Sequence, residues 1–112
     1  ASQIRLPDLV AYRIPTETKL FQNYPNPFNP ETWIPYQLAK DASVTLTIYD
    51  TTGAVVRTIQ VGHKPAAAYE SKDQAIYWDG RNDYGERVAS GIYFYTIKAG
   101  QFIATRRMVV VK

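Results

Sequence analysis

Apolar and polar residues alternate along residues 43–50 with the two-residue period of a β-strand. Val44, Leu46 and Ile48 define one apolar face, while threonine and tyrosine define the opposite, solvated face. A Thr-Thr-Gly turn then leads into a second run of β-branched residues. We therefore predict a β-hairpin over residues 43–61.

The end of the chain has the same pattern. A glycine opens a strand rich in tyrosine and isoleucine, and a short Ala-Gly-Gln turn leads into the last strand. In that strand Met108 and Val110 are expected on one face, and Val109 and Val111 on the other. A second hairpin is therefore predicted over residues 91–111.

Shorter extended segments are predicted in the remainder of the chain. Prolines within residues 20–38 exclude a helix and predict a kinked loop between a short strand at 20–21 and a strand over 32–38. Pro35 lies inside that second strand, so we expect it at a sheet edge or a bulge. Residues 62–73 keep no period and are predicted to form a loop.

An extended pattern returns at residues 74–79, where Ile76 and Trp78 share one face. Large aromatic side chains in such segments dominate the packing of small domains. We therefore expect Phe28, Trp33 and Trp78 to be core residues.

About seven predicted strands, separated by turns roughly every 8–12 residues and without a convincing helix, are typical of an all-β sandwich. We predict an antiparallel sandwich of the immunoglobulin-like or fibronectin-III-like class. The Cys-Trp-Cys framework of true immunoglobulins is missing from the sequence, so the prediction concerns the architecture alone.

A chain of 112 residues has room for one domain. Residues 1–18 contain two prolines and keep no period, so we expect a linker or connector from an upstream domain. One short turn at Leu6, Leu9 and Val10 would pack on the domain. The folded domain is predicted to span residues 19–112.

The composition excludes several classes of function. The absence of cysteine excludes a disulfide framework, a cysteine-ligated metal and a thiol nucleophile. The 13 basic residues outnumber the 10 acidic ones, but they are scattered along the chain, so we expect no nucleic-acid partner. No apolar run approaches the roughly 18 residues of a membrane-spanning helix, so no membrane-spanning segment is expected.

Candidate chemistry is sparse. His63 falls in a predicted loop without a nucleophile or carboxylate partner, so we expect it to be solvated and the chain not to be an enzyme. The run DGRNDYGE offers oxygen ligands for calcium, but its spacing differs from that of an EF-hand. A polar turn whose side chains cap their own backbone is the favoured interpretation, with calcium as the only candidate cofactor. The four side chains are Asp79, Asn82, Asp83 and Glu86.

Four sequence blocks together resemble a known family. They are LFQNYPNPFNPETWIPYQL at 20–38, VTLTIYDTTGAVVRTI at 44–59, YWDGRNDYGERVASGIYFYTIKAG at 77–100 and TRRMVVVK at 105–112. In this order they resemble the type A C-terminal sorting domain of the type IX (Por) secretion system. The third block also resembles the immunoglobulin-like domain of flagellar hook-capping proteins, so it indicates the fold more than the role.

The resemblance implies a bacterial domain at the C-terminus of a secreted cargo protein. It implies recognition by the type IX machinery, passage through the periplasm to the outer surface or medium, and cleavage or anchoring by a surface peptidase. The family's final hairpin and terminal basic strand matter most for recognition; arginine stands at 106 and 107 where lysine is common. The corresponding residues are Gly91, Tyr93, Arg106, Arg107 and Lys112.

Two other functions stay open at this point. The chain could be an immunoglobulin-like adhesive or spacer module that binds a surface protein or carbohydrate. It could also be a small hydrolase or metal enzyme, which the lack of a catalytic constellation disfavours. A sorting domain is expected at the natural C-terminus of its chain, whereas a chain continuing well past Lys112 would favour the adhesive module. The last strand, at the edge of an open sandwich, is expected to leave backbone groups for a partner strand.

Overall fold

The computed structural model describes residues 14–112. The expected turn at Leu6, Leu9 and Val10, with most of the predicted 1–18 linker, lies outside the described residues. The described part contains nine strands: β1 (Lys19–Leu20), β2 (Thr32–Ile34), β3 (Tyr36–Leu38), β4 (Ala42–Tyr49), β5 (Val55–Lys64), β6 (Ala67–Tyr69), β7 (Ile76–Trp78), β8 (Gly91–Ala99) and β9 (Phe102–Val110). Within residues 14–112 no helix has the length and apolarity needed to cross a membrane.

The strands form three antiparallel sheets. The largest has the order β5-β4-β8-β9, and the two smaller sheets are β1-β3-β6 and β2-β7. All three sheets contribute to one apolar core, which confirms the predicted all-β sandwich. Its largest fully buried side chains are Trp78, Tyr36, Tyr95, Phe28, Ile34, Leu38, Leu46, Ile48, Ile97 and Met108.

Both predicted hairpins are confirmed. β4 and β5 form the first, with Leu46 opposite Ile59, and β8 and β9 form the second, with Tyr93 opposite Met108. β4 also pairs with β8, so the two hairpins join into the four-stranded sheet. Its inner face has the alternation expected from the sequence, because successive side chains of a strand point to opposite faces.

Pro35 divides the predicted 32–38 strand into two strands that belong to different sheets. β2 pairs with β7, whereas β3 pairs with β1 and β6. Pro35 has no N–H to donate, but its carbonyl accepts a 3.0 Å hydrogen bond from Phe21 N. The chain therefore changes sheet at the one residue that cannot donate to a ladder.

The prediction of a loop over residues 62–73 is wrong for its first part. β5 continues to Lys64, and β6 pairs with β3, with Ala67 opposite Leu38 and Tyr69 opposite Tyr36. The Tyr36 and Tyr69 rings stack with centroids 4.8 Å apart. Small residues without a period form a strand here because a neighbouring strand supplies the pairing.

The expectation that Trp33 is a core residue is also wrong. Thr32 and Ile34 of β2 point into the core, so Trp33 between them must point to the other face. There its half-buried ring packs against Tyr24, at 6.3 Å between centroids, and against Tyr77, at 5.7 Å. Phe28 and Trp78 are buried as expected.

Candidate functional site

The C-terminal hairpin contains most of the residues that the sequence singled out. Met108 and Val110 are buried, Val109 is half-buried and Val111 is exposed, which matches the predicted alternation of β9. Gly91 begins β8 opposite Val110 with φ 149°, a backbone conformation that other residues rarely adopt. One face of β9 is therefore packed into the core through Met108 and Val110, and its other face is turned towards solvent.

Tyr93 is part of the core. It is 8% exposed, its ring packs edge-on against Trp78 at 6.1 Å, and its hydroxyl donates to the Ala89 carbonyl at 2.8 Å. Burial raises the pKa of the Tyr93 hydroxyl. A contribution of Tyr93 to recognition would therefore act through the position of the hairpin, since its ring does not lie on the surface.

The three basic residues are exposed but are not brought together. Arg106 Nε donates to the Leu20 carbonyl at 2.7 Å, which ties β9 to β1 across the sandwich. Arg107 follows it in the strand and so points to the opposite face. Lys112 lies beyond the end of β9, where its backbone N–H donates to Ser90 Oγ at 3.1 Å.

Residues 22–28, here called the Asn-Pro loop, cover the end of β9. Asn26 Oδ1 accepts from Val109 N at 2.9 Å, and Phe28 N donates to the Val109 carbonyl at 3.0 Å. Val111 N donates to the Phe28 carbonyl at 2.8 Å, so Phe28 continues the ladder as a parallel bridge to Val110. The sequence analysis missed this contact, because its partners lie more than eighty residues apart in the chain.

Buried polar bonds hold the Asn-Pro loop against β8. Tyr95 Oη accepts from Asn23 N at 2.9 Å and donates to the Phe21 carbonyl at 2.8 Å. Asn23 Nδ2 donates to Thr32 Oγ1 at 3.0 Å. Burial raises the pKa of Tyr95 to about 12, and the hydrogen bond from Asn23 N acts in the opposite direction by lowering that pKa. These bonds explain the asparagine at position 23. Asn23 is only 2% exposed, and buried polar atoms need hydrogen-bond partners.

The DGRNDYGE run forms a polar turn. Asp79 Oδ1 accepts from Arg81 N at 3.0 Å, and Asn82 Oδ1 accepts from Glu86 N at 2.9 Å. Asp83 Oδ1 accepts from Thr58 N on β5 at 3.1 Å. Three of the four candidate calcium ligands therefore hold backbone N–H groups of the turn and of β5. The fourth, Glu86, accepts from Asn82 Nδ2 at 3.1 Å through its Oε1.

Arg57 supplies the positive charge at this turn. Its guanidinium lies 3.5 Å from Asp79 Oδ1 and 3.8 Å from Asp83 Oδ1. Among the described residues no group of three or more acidic, histidine or cysteine side chains is arranged to hold a metal. His63 lies on β5 opposite Ser43, within the four-stranded sheet.

The fold has counterparts among solved structures. Dimeric latent PorU from Porphyromonas gingivalis matches with a TM-score of 0.60 and 23% identity over 84% of this chain. PorZ of the same organism, described as an essential bacterial surface component of its type IX secretion system, matches with a TM-score of 0.57 and 23% identity over 83% of this chain. The chain spans only 9% of the PorU chain and 11% of the PorZ chain.

FlgD from P. aeruginosa also matches, with a TM-score of 0.50 and 24% identity over 65% of this chain and 54% of FlgD. No curated protein matches the sequence. The family model described as the FlgD Ig-like domain matches residues 30–101, from just after the Asn-Pro loop to the turn between β8 and β9. This match covers more than half of the sequence, and the chain therefore belongs to the FlgD Ig-like domain family.

Proposed function

We propose that this chain is a non-catalytic secretion-sorting and surface-anchoring module, recognised by the type IX secretion machinery and its surface processing peptidase. Residues 19–112 form the module, and residues 1–18 connect it to an upstream cargo domain. The module passes through the periplasm and ends at the cell surface or in the medium.

One observation supports this proposal above the others. A domain of this fold makes up about a tenth of PorZ, a surface component of the type IX system. A unit that is a small part of a much larger surface protein fits an address or an attachment better than an active site. Arg107 and Lys112, both exposed near the end of the chain, are groups that a receptor can reach.

The proposal is tested with a reporter protein fused upstream of residues 1–112 in a bacterium that has type IX secretion. We expect the fusion to reach the surface or the medium. Deleting residues 106–112 is a poor test, because it removes Met108 and Val110 from the core and leaves residues 91–95 of β8 without their partners in β9. Substitutions of exposed charges separate recognition from folding.

The informative variant is Arg107→Gln with Lys112→Gln, and the matched control is Lys40→Gln at an exposed position in the bend after β3. We expect the double variant to lower surface delivery roughly threefold or more, because a receptor loses charges that steer docking. The control should deliver normally, and both proteins should keep the parent's thermal midpoint. Full delivery of a folded double variant would remove these residues from the address, and full delivery of the reporter without residues 19–112 would overturn the proposed function.

An adhesive role is the second candidate, favoured by the aromatic group on the outer face of β2 and β7. Trp33 stacks on Tyr24 and packs at a tilt of 55° against Tyr77, and Lys72 Nζ lies 4.2 Å from the Trp33 ring centroid. Aromatic faces of this kind can bind sugars or cationic groups. Binding of the isolated chain to surface polysaccharide that Trp33→Ala abolishes would favour this role.

A further inference from the structure

The outer edge of β9 is covered over only part of its length. The Asn-Pro loop bonds to both backbone groups of Val109 and to the N–H of Val111. Gln22 Nε2 donates to the Arg107 carbonyl at 2.7 Å. The edge is thus covered from residue 107 to the end of the strand.

The first half of the same strand has no such cover in the described part of the chain. In an antiparallel ladder every second residue points its N–H and C=O away from the neighbouring strand. Since Arg107 and Val109 bond outwards, Thr105 and Ile103 must also present their backbone groups outwards. No described residue bonds to these groups. Residues 102–106 are called the open edge below.

The open edge borders a groove. Residues 17–21, which include β1, form one wall, and Phe102, Ala104, Thr105 and Arg106 form the other, around an open volume of about 900 Å³. β1 and β9 are edge strands of two different sheets. At about 3.3 Å per residue, the open edge matches a partner strand of roughly four to five residues.

An apolar side chain is exposed beside this edge. Ile103 is 62% exposed, although it lies on a strand whose edge is open. Natural proteins usually protect such edges with charge, proline or a covering loop, as the Asn-Pro loop does further along β9. An open edge with an adjacent exposed apolar side chain matches the requirements of strand addition, in which backbone bonds give affinity and side-chain contacts give selectivity.

The charges around the groove are mostly positive. Lys98 lies opposite Ile103 in the β8–β9 register, and Lys19, Arg106 and Arg107 lie along the two walls or next to them. Glu17 is the one acidic residue that lines the groove within residues 14–112, and its carboxylate is 3.2 Å from Lys19 Nζ. Charge complementarity therefore favours an acidic partner.

We propose that the open edge binds an extended, acidic peptide segment of a partner protein, which adds to the four-stranded sheet by pairing with Ile103 and Thr105. The inference rests on the proposed function for the identity of that partner, which would belong to the secretion machinery. The receptor strand would lie in the groove between β1 and β9, away from the covered terminus at Val111.

The test uses the chain of residues 1–112 and a labelled peptide of about eight residues that alternates valine with glutamate, as a probe of strand addition. The matched peptide has lysine in place of glutamate. We expect the acidic peptide to bind at least roughly tenfold more tightly by fluorescence anisotropy, and its binding to weaken with salt. Amide hydrogen exchange should slow at Ile103 and Thr105 when the peptide is bound.

Thr105→Pro removes the outward N–H without removing a backbone bond to β8, whereas Thr105→Val keeps the backbone donor and the branched shape. Both variants lose the 2.7 Å hydrogen bond between Thr105 Oγ1 and Thr96 Oγ1, so they are matched in that loss. We expect Thr105→Pro to weaken binding roughly tenfold and Thr105→Val to bind like the parent. If Thr105→Pro lowers the thermal midpoint, Lys98→Glu replaces it, with loss of preference for the acidic peptide as the expected result.

Equal binding of the two peptides, or unchanged affinity in Thr105→Pro, would overturn the proposal. Sedimentation that shows a dimer dissolved by Thr105→Pro would assign the edge to a second copy and overturn it as well. These measurements need no secretion machinery, so their result is independent of the reporter experiment. The peptide can fail to bind while the reporter is delivered, and it can bind while the reporter is not delivered.

Discussion

Gly80 lies at a close approach between two loops. Its φ is 78°, and a Cβ added there would lie 2.6 Å from Pro30 Cγ and 2.8 Å from Pro30 Cβ. Gly85, in the same turn, has a φ of 82° but no heavy atom within 4 Å of an added Cβ. The two glycines therefore share the backbone constraint and differ in the steric one.

We expect Gly85→Ala to lower the free energy of unfolding by about 1–2 kcal/mol, the usual cost of a left-handed conformation for a residue with a Cβ. Gly80→Ala should cost about 1–3 kcal/mol more, because the proline ring cannot move aside. Urea unfolding of both variants measures the difference. Equal losses would mean that Pro30 is displaced easily and that the contact does not constrain the turn.

The pairing of β2 with β7 places its two tryptophans on opposite faces. Trp78 is 1% exposed, and its indole Nε1 donates to the Arg81 carbonyl at 2.9 Å. Trp33 is half-buried and packs on Tyr24 and Tyr77 outside the core. One short pair of strands thus closes the core on one face and presents an aromatic group on the other.

Trp78→Ala should lower the free energy of unfolding by about 3–5 kcal/mol, since it leaves a cavity next to Phe28 and Tyr93. Trp33→Ala should cost only about 1–2 kcal/mol, because its ring is partly exposed and packs outside the core. Chemical denaturation of the two variants measures both losses of unfolding free energy. A loss at Trp33 as large as that at Trp78 would place Trp33 energetically in the core.

Part of each edge of the four-stranded sheet is protected by a different loop. Asp83 bonds to the Val56 carbonyl and the Thr58 N–H on β5, and the Asn-Pro loop bonds to the end of β9. Both loops come from outside the sheet, so the protection depends on the tertiary fold.

Burial raises the pKa of several tyrosine hydroxyls among the described residues. Burial raises the pKa of Tyr95 to about 12 and that of Tyr36 above its ordinary value by a larger amount. Tyr36 is fully buried, and its hydroxyl has no hydrogen-bond partner among the described residues. Both groups are kept neutral by the folded state, whereas in the unfolded chain they lose a proton near pH 10.

We therefore expect stability to be independent of these tyrosines below about pH 10 and to fall from there through about pH 12. The sign follows from proton binding: in that window the folded state holds more protons, so a rise in pH favours unfolding. Thermal midpoints measured from pH 8 to 12 should show the decline.

Tyr36→Phe keeps the stack on Tyr69 and removes the buried hydroxyl, so it should be neutral or stabilising at pH 8 and should reduce the alkaline decline. Tyr84→Phe is the matched control, because Tyr84 is 88% exposed and should change neither quantity. A Tyr36→Phe protein that declines as steeply as the parent would show that other groups control the alkaline transition.

The sequence alone determined the features that are local. The alternation of Val44, Leu46 and Ile48, the turn glycines and the face assignment of Met108 and Val110 follow from the two-residue period of a strand, and all of them agree with the structure. The class of the fold followed from the same periods. These features depend on residues a few positions apart, so a short stretch of sequence is enough to predict them.

Tertiary structure alone decided the features that depend on distant partners. The change of sheet at Pro35, the strand β6 and the outward position of Trp33 each depend on which strand lies alongside. Which half of β9 is covered depends on Asn26 and Phe28, which lie more than eighty residues before the end of β9 in the chain but contact it in the fold. A backbone donor or acceptor has no side-chain identity, so no sequence pattern records whether it is paired, and only the packed chain determines which edge is left for a partner.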